Sequence, residues 1–187
     1  GKVLDIGCGS GNRCILLSRY FEQVVGIDIS DSFLQIAEKK KNINGINNIS
    51  FINMNADEMY FEEKFDMIIS RTTFHHLDIE NVLGRCISLI NNGGVIYIKD
   101  NVSENPTPAK WTYVVGALLE FLPNWRRYGL KNAKRVFSHS VSREWLSHLA
   151  EDRYLSESEY YRIYEKYLPG CFFIKERWAM NVIWKNN

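Results

Sequence analysis

The 187-residue chain predicts an α/β fold, a mostly parallel sheet with helices on both faces. Two observations predict it. Strand-like and helix-like segments alternate over the first hundred residues, as right-handed crossovers between parallel strands require. The first strand also runs into closely spaced glycines followed by a helix, and the second strand ends on an acid. In such sheets ligands bind outside the carboxyl ends of the strands.

Each element is visible in order. Residues 2–6 (Lys-Val-Leu-Asp-Ile) are a short strand. Residues 13–21 carry apolar side chains at helical spacing. Residues 23–27 (Gln-Val-Val-Gly-Ile) form a β-branched run that stops at Asp28. Residues 31–41 read as a helix, with Phe33, Leu34 and Ala37 on one face and lysines at the end. Residues 49–54 alternate as a third strand, and residues 65–70 form a fourth. Residues 79–90 are a helix closed by Asn91-Asn-Gly-Gly94, and residues 95–99 form a fifth strand. From about residue 102 the pattern changes. Asn105-Pro-Thr-Pro108 interrupts it, residues 111–122 are an apolar helix, and Ser156-Glu-Ser-Glu159 is a capping box before residues 160–168. Residues 171–185 read as two strands meeting near residues 176–178.

The chain fits one domain, residues 1–187. Residues 1–101 form a cofactor-binding core, 102–170 an insertion over the acceptor site, and 171–187 the closing strands. The chain opens directly on a strand without an initiator Met, so a preceding segment is expected. A formal net charge of +1 predicts no general attraction to nucleic acid or acidic membranes. Cys8, Cys14, Cys86 and Cys171 are widely spaced and form no Cys-x-x-Cys pair, which argues against zinc and a disulfide framework and suits a reducing cytoplasm. No run approaches the ~20 apolar residues of a membrane span. A cytoplasmic protein with a small-molecule partner is expected, without nucleic acid and without an integral membrane segment.

The glycine loop carries the most chemistry. A strand, then Gly7-x-Gly9-x-Gly11, then a helix presents bare backbone N–H groups at a helix start, where an anion is favoured. Asp28 lies at the end of the next strand, where an acid binds ribose hydroxyls in dinucleotide folds. The dinucleotide fingerprint, however, needs its third glycine at position 12, which is Asn12. An NAD-type pyrophosphate is therefore less well served.

Val3-Leu-Asp-Ile-Gly-Cys-Gly-Ser-Gly11 resembles the first motif of class I S-adenosylmethionine-dependent methyltransferases. The resemblance continues through Val25-Gly-Ile-Asp-Ile-Ser30, Asn55-Ala-Asp57, residues 65–70, His75-His-Leu77 and Asn92-Gly-Gly-Val-Ile-Tyr97, and covers roughly residues 1–101. It implies a Rossmann-like seven-stranded sheet with one antiparallel C-terminal strand, and S-adenosyl-L-methionine as cofactor. It further implies that Asp5 orients the loop and supports the methionine amine, and that Gly7 and Gly9 approach the methionyl group and ribose. Asp28 would hold the ribose hydroxyls with Ile29 beside it. Asp57 would take the adenine amino group beside Ala56, and Ser70 and Arg71 would line the methionine end.

Methyl transfer from a sulfonium needs mainly alignment, and a base only for a protonated acceptor. His75 and His76, after the fourth strand, and Asp100, after the fifth, are the candidate catalytic residues. His76 is the one expected to be oriented, because His-Leu at this point is common in the family. The alternative for both histidines is helix capping or packing. Asp100-Asn101 resembles the magnesium-binding pair of catechol-type methyltransferases. Ser70-Arg71 stands where their further acid would be, and two oxygens make a poor site, so no metal is expected. The same pair is similar to the amine-gripping residues of protein N-terminal methyltransferases.

The insertion governs the acceptor. Trp111, Tyr113, Leu118, Leu119, Phe121, Leu122 and Trp125 could line an apolar pocket or simply pack the insertion down. Arg126, Arg127, Lys131, Lys134 and Arg135 could recognise an acidic group, meet anionic lipid, or form a solvated face. The expected activity is methyl transfer to a small, apolar or aromatic acceptor. The alternatives are a protein N-terminal amine methyltransferase, an NAD-type oxidoreductase, or a non-catalytic cofactor-binding domain.

Overall fold

The computed structural model describes residues 1–104, 110–143, 146 and 152–187. The expected break at Asn105-Pro-Thr-Pro108 lies outside the described residues. Two compact units are present, one of residues 1–102 with 157–187, the other of residues 103–156.

The first unit is a seven-stranded sheet. Its strands are β1 (Lys2–Ile6), β2 (Gln23–Asp28), β3 (Ile49–Asn53), β4 (Phe65–Arg71), β5 (Ile90–Asn101), β6 (Phe172–Lys175) and β7 (Ala179–Lys185), in the order β3-β2-β1-β4-β5-β7-β6. β1 to β5 run parallel, and β7 pairs antiparallel with both β5 and β6. The expected single antiparallel strand is therefore β7. The strand order reverses between β1 and β4, which makes the carboxyl ends of those two strands the natural crevice. β1 lies at the centre with Val3, Leu4, Asp5 and Ile6 all buried. That explains why its sequence is almost continuously apolar.

The helices are set by their caps and apolar faces. α2 (Asp31–Ile43) starts at Ser30, whose Oγ accepts the Phe33 N–H, and turns Leu34 and Ala37 inward. α3 (Ile79–Leu89) starts at Asp78, whose carboxylate accepts the Asn81 N–H, and buries Val82, Leu83, Cys86 and Leu89. These are the i, i+3/i+4 positions of one face. α1 (Asn12–Leu17) is shorter than its periodicity predicts. The Asn48 amide donates to the Ser18 and Phe21 carbonyls and holds the chain in a turn there. Asn91 to Gly94, expected as a loop, belongs to β5. The C-terminal chain draws it in: Gly93 N–H donates to the Asn186 carbonyl and Asn186 N–H to that of Gly94. α6 (Glu157–Tyr167), expected within the insertion, belongs to the sheet unit and buries Tyr160, Ile163 and Tyr164.

The second unit is built on α4 (Lys110–Tyr128) and α5 (Leu130–Ser140), joined through Gly129. α4 runs past its expected end and through Pro123. Phe121 meets Phe137 edge-on at 5.7 Å between ring centroids, and Ala133 is buried.

Candidate cofactor and catalytic site

The glycine loop is tethered to β2 from two sides. Gly7 and Cys8 N–H both donate to the Ile27 carbonyl, at 2.9 and 3.0 Å. Gly9 N–H donates to Asp28 Oδ2 at 2.7 Å, and Asp28 Oδ1 accepts the Ser30 N–H at 2.9 Å. The acid at the end of β2 thus fixes the loop while its remaining lone pairs stay on the half-buried side chain. Lys40 closes the outer edge, its Nζ donating to the Ser10 carbonyl, Ser10 Oγ and Asn12 Oδ1. Gly7, Gly9 and Gly11 all have positive φ.

Beside this loop lies a cleft of about 490 Å³. Gly7, Ser10, Arg13 and Leu16 line one side, and Arg71, the last residue of β4, lines the other with Thr72. This lies within the usual 300–1,000 Å³ of small-molecule sites. Thr72 holds φ 54, the one positive φ at a non-glycine among the described residues. Such strain gathers at ligand sites.

Ile29, Ala56 and Asp57, expected beside the adenine, lie after the ends of β2 and β3. Ile29, beside Asp28, is 74% exposed, an apolar surface suited to one face of a flat base. Ala56 is buried, and Asp57 is half-buried in the short helical turn Ala56–Glu58. Asp57 Oδ1 accepts the Asp78 N–H at 3.0 Å, and its carbonyl accepts the Asn81 amide. Asp57 therefore also ties the third-strand turn to the start of α3.

Two residues are turned away from the cleft. The Asp5 carboxylate is fully buried, gripped by Arg13 Nη2 at 2.6 Å and Nε at 3.0 Å, with the Cys14 thiol at 3.3 Å. Burial pushes its pKa up, and the Arg13 charge and hydrogen bonds pull it back. It supports the loop through Arg13, which also reaches the Gly7 carbonyl at 3.4 Å. A fully buried carboxylate presents no surface to a methionine amine, which corrects that part of the expectation. Ser70 is likewise buried, its Oγ donating to the Ile6 carbonyl at 2.9 Å. Its side chain joins β4 to β1, and Arg71 alone of the pair lines the cleft. Arg13 and Thr72 were missed by sequence reading. A lone acid inside a buried strand was the signal for Arg13, because such a charge needs a cation.

The fourth and fifth strands bring the catalytic candidates together. His75 Nδ1 lies 2.7 Å from Asp100 Oδ1, and His75 N–H donates to Oδ2 at 2.7 Å. Asn101 N–H also donates to Oδ1. Asp100 is buried. The histidine set by a carboxylate is thus His75, where the sequence favoured His76. His76 is exposed, its ring centroid 4.0 Å from that of His75. Asp100 is committed to these three donors, which disfavours its gripping a substrate amine.

Comparison with known proteins places this geometry in a family. Residues 1–166 match the model of the methyltransferase domain. The chain is 28% identical over 160 residues to a probable S-adenosylmethionine-dependent methyltransferase, CRG1, of Saccharomyces cerevisiae, covering 82% of this chain and 54% of that protein. It is 29% identical over 150 residues to a ubiquinone biosynthesis O-methyltransferase of Saccharophagus degradans, covering 78% and 61%. Among solved structures, the plantazolicin methyltransferase BamL, in complex with a triazolic desmethylPZN analog and SAH, superposes with a TM-score of 0.66 at 20% identity. That match covers 100% of this chain and 77% of the other. The chain spans about half the length of the curated relatives it matches.

The chain belongs to the methyltransferase-domain family and has a Rossmann-like sheet, and the methyl donor of that family is S-adenosylmethionine. The residues present fit that donor: a loop whose Gly9 has nothing within 4 Å of an added Cβ, an acid beside it, and an exposed apolar residue next to the acid. No described helix is long and apolar enough to cross a membrane.

Proposed function

We propose that this chain transfers the methyl group of S-adenosylmethionine to a small, apolar or aromatic acceptor. The observation that carries the donor assignment is the loop locked to Asp28 beside an open cleft. Bound there, S-adenosylmethionine supplies a methyl group on positively charged sulfur, open to displacement by an electron pair. Asp28 would hold the ribose hydroxyls, Ile29 and Asp57 would flank the adenine, and Arg71 would stand at the methionine end. The ubiquinone-biosynthesis relatives support an apolar, ring-bearing acceptor.

In this reading His75 is the base for an acceptor that arrives protonated, and Asp100 is its positioning residue. With the Nδ1 proton directed at Asp100, Nε2 is the basic nitrogen. The acceptor's proton moves to Nε2, and the resulting imidazolium is stabilised by the buried carboxylate. The dyad at the mouth of β4 and β5 supports this assignment.

The test is methyl transfer from isotopically labelled donor into cell extract, with mass spectrometry of labelled products. A labelled small apolar product is expected. Absence of donor binding in calorimetry, or binding of NAD in its place, would overturn the reading. His75→Gln should slow turnover by about 10² to 10⁴ and leave donor affinity intact, whereas unchanged turnover would return His75 to a structural role.

A further inference from the structure

α4 does not bury its apolar residues as a globular helix would. Trp111, Val115, Leu118, Leu122 and Trp125 recur at intervals of four and three, with Leu119 alongside, so they share about a third of the helix circumference. All six are exposed, Trp111 at 67%, Leu119 at 73% and Trp125 at 47%. Off the stripe, Tyr113, Val114, Ala117 and Phe121 are half-buried. The only acid of α4, Glu120, falls off the stripe, and Arg126 falls on it.

Charge follows directly. Residues 121–140 contain no Asp or Glu and carry Arg126, Arg127, Lys131, Lys134 and Arg135, all exposed. On α5, Lys131, Lys134 and Arg135 share one face, while Ala133 and Phe137 turn inward. An exposed stripe with tryptophans near both ends, adjoining a cationic segment, has the composition of a helix that lies in a bilayer interface. The net charge of the chain is close to zero, but attraction to a surface is set by the local charge within a Debye length.

We propose that α4 and α5 form a peripheral membrane-docking surface whose occupant is an anionic phospholipid bilayer. Trp111, Leu118, Leu119, Leu122 and Trp125 enter the headgroup boundary, and the cations from Arg126 to Arg135 meet the lipid phosphates. The positive charge favours lipid over a second copy of the chain, since a parallel pairing would set the two cationic segments side by side. The inference is independent of the donor-site assignment, because these residues and the glycine loop belong to different units.

Co-sedimentation of the full chain with vesicles tests it. Binding is expected to phosphatidylcholine vesicles containing phosphatidylglycerol, weak binding to phosphatidylcholine alone, and release by added salt. Each cation removed, as in Arg126→Gln, Lys131→Gln and Lys134→Gln, should weaken partition about fivefold. Leu118→Ser with Leu122→Ser should abolish it. Every substituted residue is exposed, so melting temperature and S-adenosylhomocysteine affinity should stay at wild-type values, and this identifies any variant that has merely misfolded. Failure of the wild-type chain to bind anionic vesicles would overturn the proposal. So would equal binding of the glutamine variants, or a dimer in sedimentation that the leucine variants dissolve.

Discussion

Alanine at Gly9 and at Gly11 should damage different properties, although the two glycines stand two residues apart in one loop. Both have positive φ, 52° and 75°, so either alanine incurs a left-handed backbone cost of about 1–2 kcal/mol. The space around them differs. A Cβ on Gly11 would lie 2.7 Å from the Ala37 Cβ and 2.7 Å from Phe51 Cζ, both in packed elements. Overpacking of that kind adds about 1–3 kcal/mol, for a total near 2–5 kcal/mol with the backbone cost. A Cβ on Gly9 meets nothing within 4 Å. In a chain of this size each kcal/mol moves the melting temperature by about 2–4 °C, so Gly11→Ala should lose about 4–20 °C and Gly9→Ala about 2–8 °C. The ligand response should run the other way. Saturating S-adenosylhomocysteine raises the melting temperature through linkage. Gly9→Ala should lose most of that rise, because its methyl enters the space open to the donor, while folded Gly11→Ala should retain more of it. Thermal unfolding by circular dichroism, with and without ligand, is the assay. A ligand-free Gly11→Ala that melts at the wild-type temperature, or a Gly9→Ala that melts below Gly11→Ala, would refute the reasoning.

Two more outcomes follow from the same site. Asp28→Ala should weaken S-adenosylmethionine binding by about 1–3 kcal/mol in titration calorimetry, as for a lost hydrogen bond to a buried partner; unchanged affinity would remove Asp28 from the ribose assignment. Arg13→Met should cost about 3–5 kcal/mol at neutral pH, because it strips the partner from a buried carboxylate. The sign with pH is definite. Burial already holds the Asp5 pKa above 3.8, so the folded state binds this proton more tightly than the unfolded state, and the group's contribution to stability falls as pH rises from 3.8 through the raised folded value. Removing Arg13 raises the folded value further, so the deficit of the variant should shrink as pH is lowered toward the ordinary carboxylate range. A deficit independent of pH would show that Asp5 ionisation is not its source.

Much of the donor site was legible because its signals are local. A glycine that must adopt positive φ and an acid that follows a strand are read from a few neighbouring residues. Ile29 and Asp57 follow the ends of β2 and β3, and their expected place beside the adenine came from the family resemblance. The failures have one physical origin. Asp5 looked like a ligand-facing acid until Arg13, eight residues on, was seen to hold it. Ser70 looked like a cleft residue until its hydroxyl was seen on the Ile6 carbonyl, 64 residues away. Of the adjacent His75 and His76, the sequence favoured His76. The short helical turn Phe74–His76 and the pairing of β4 with β5, Ser70 beside Ile98, decide which ring meets Asp100. The extent of β5 depended on its hydrogen bonds to Asn186, which no local pattern announces.

The sequence by itself determined the class of fold and the methyl-donor loop, because strand–helix alternation, glycine spacing and a strand-end acid are written in consecutive residues. Only the tertiary structure decided which polar side chains face the cleft and which apolar ones stay exposed on α4. Strand register and helix packing set those directions, and both arise from contacts between residues far apart in the chain.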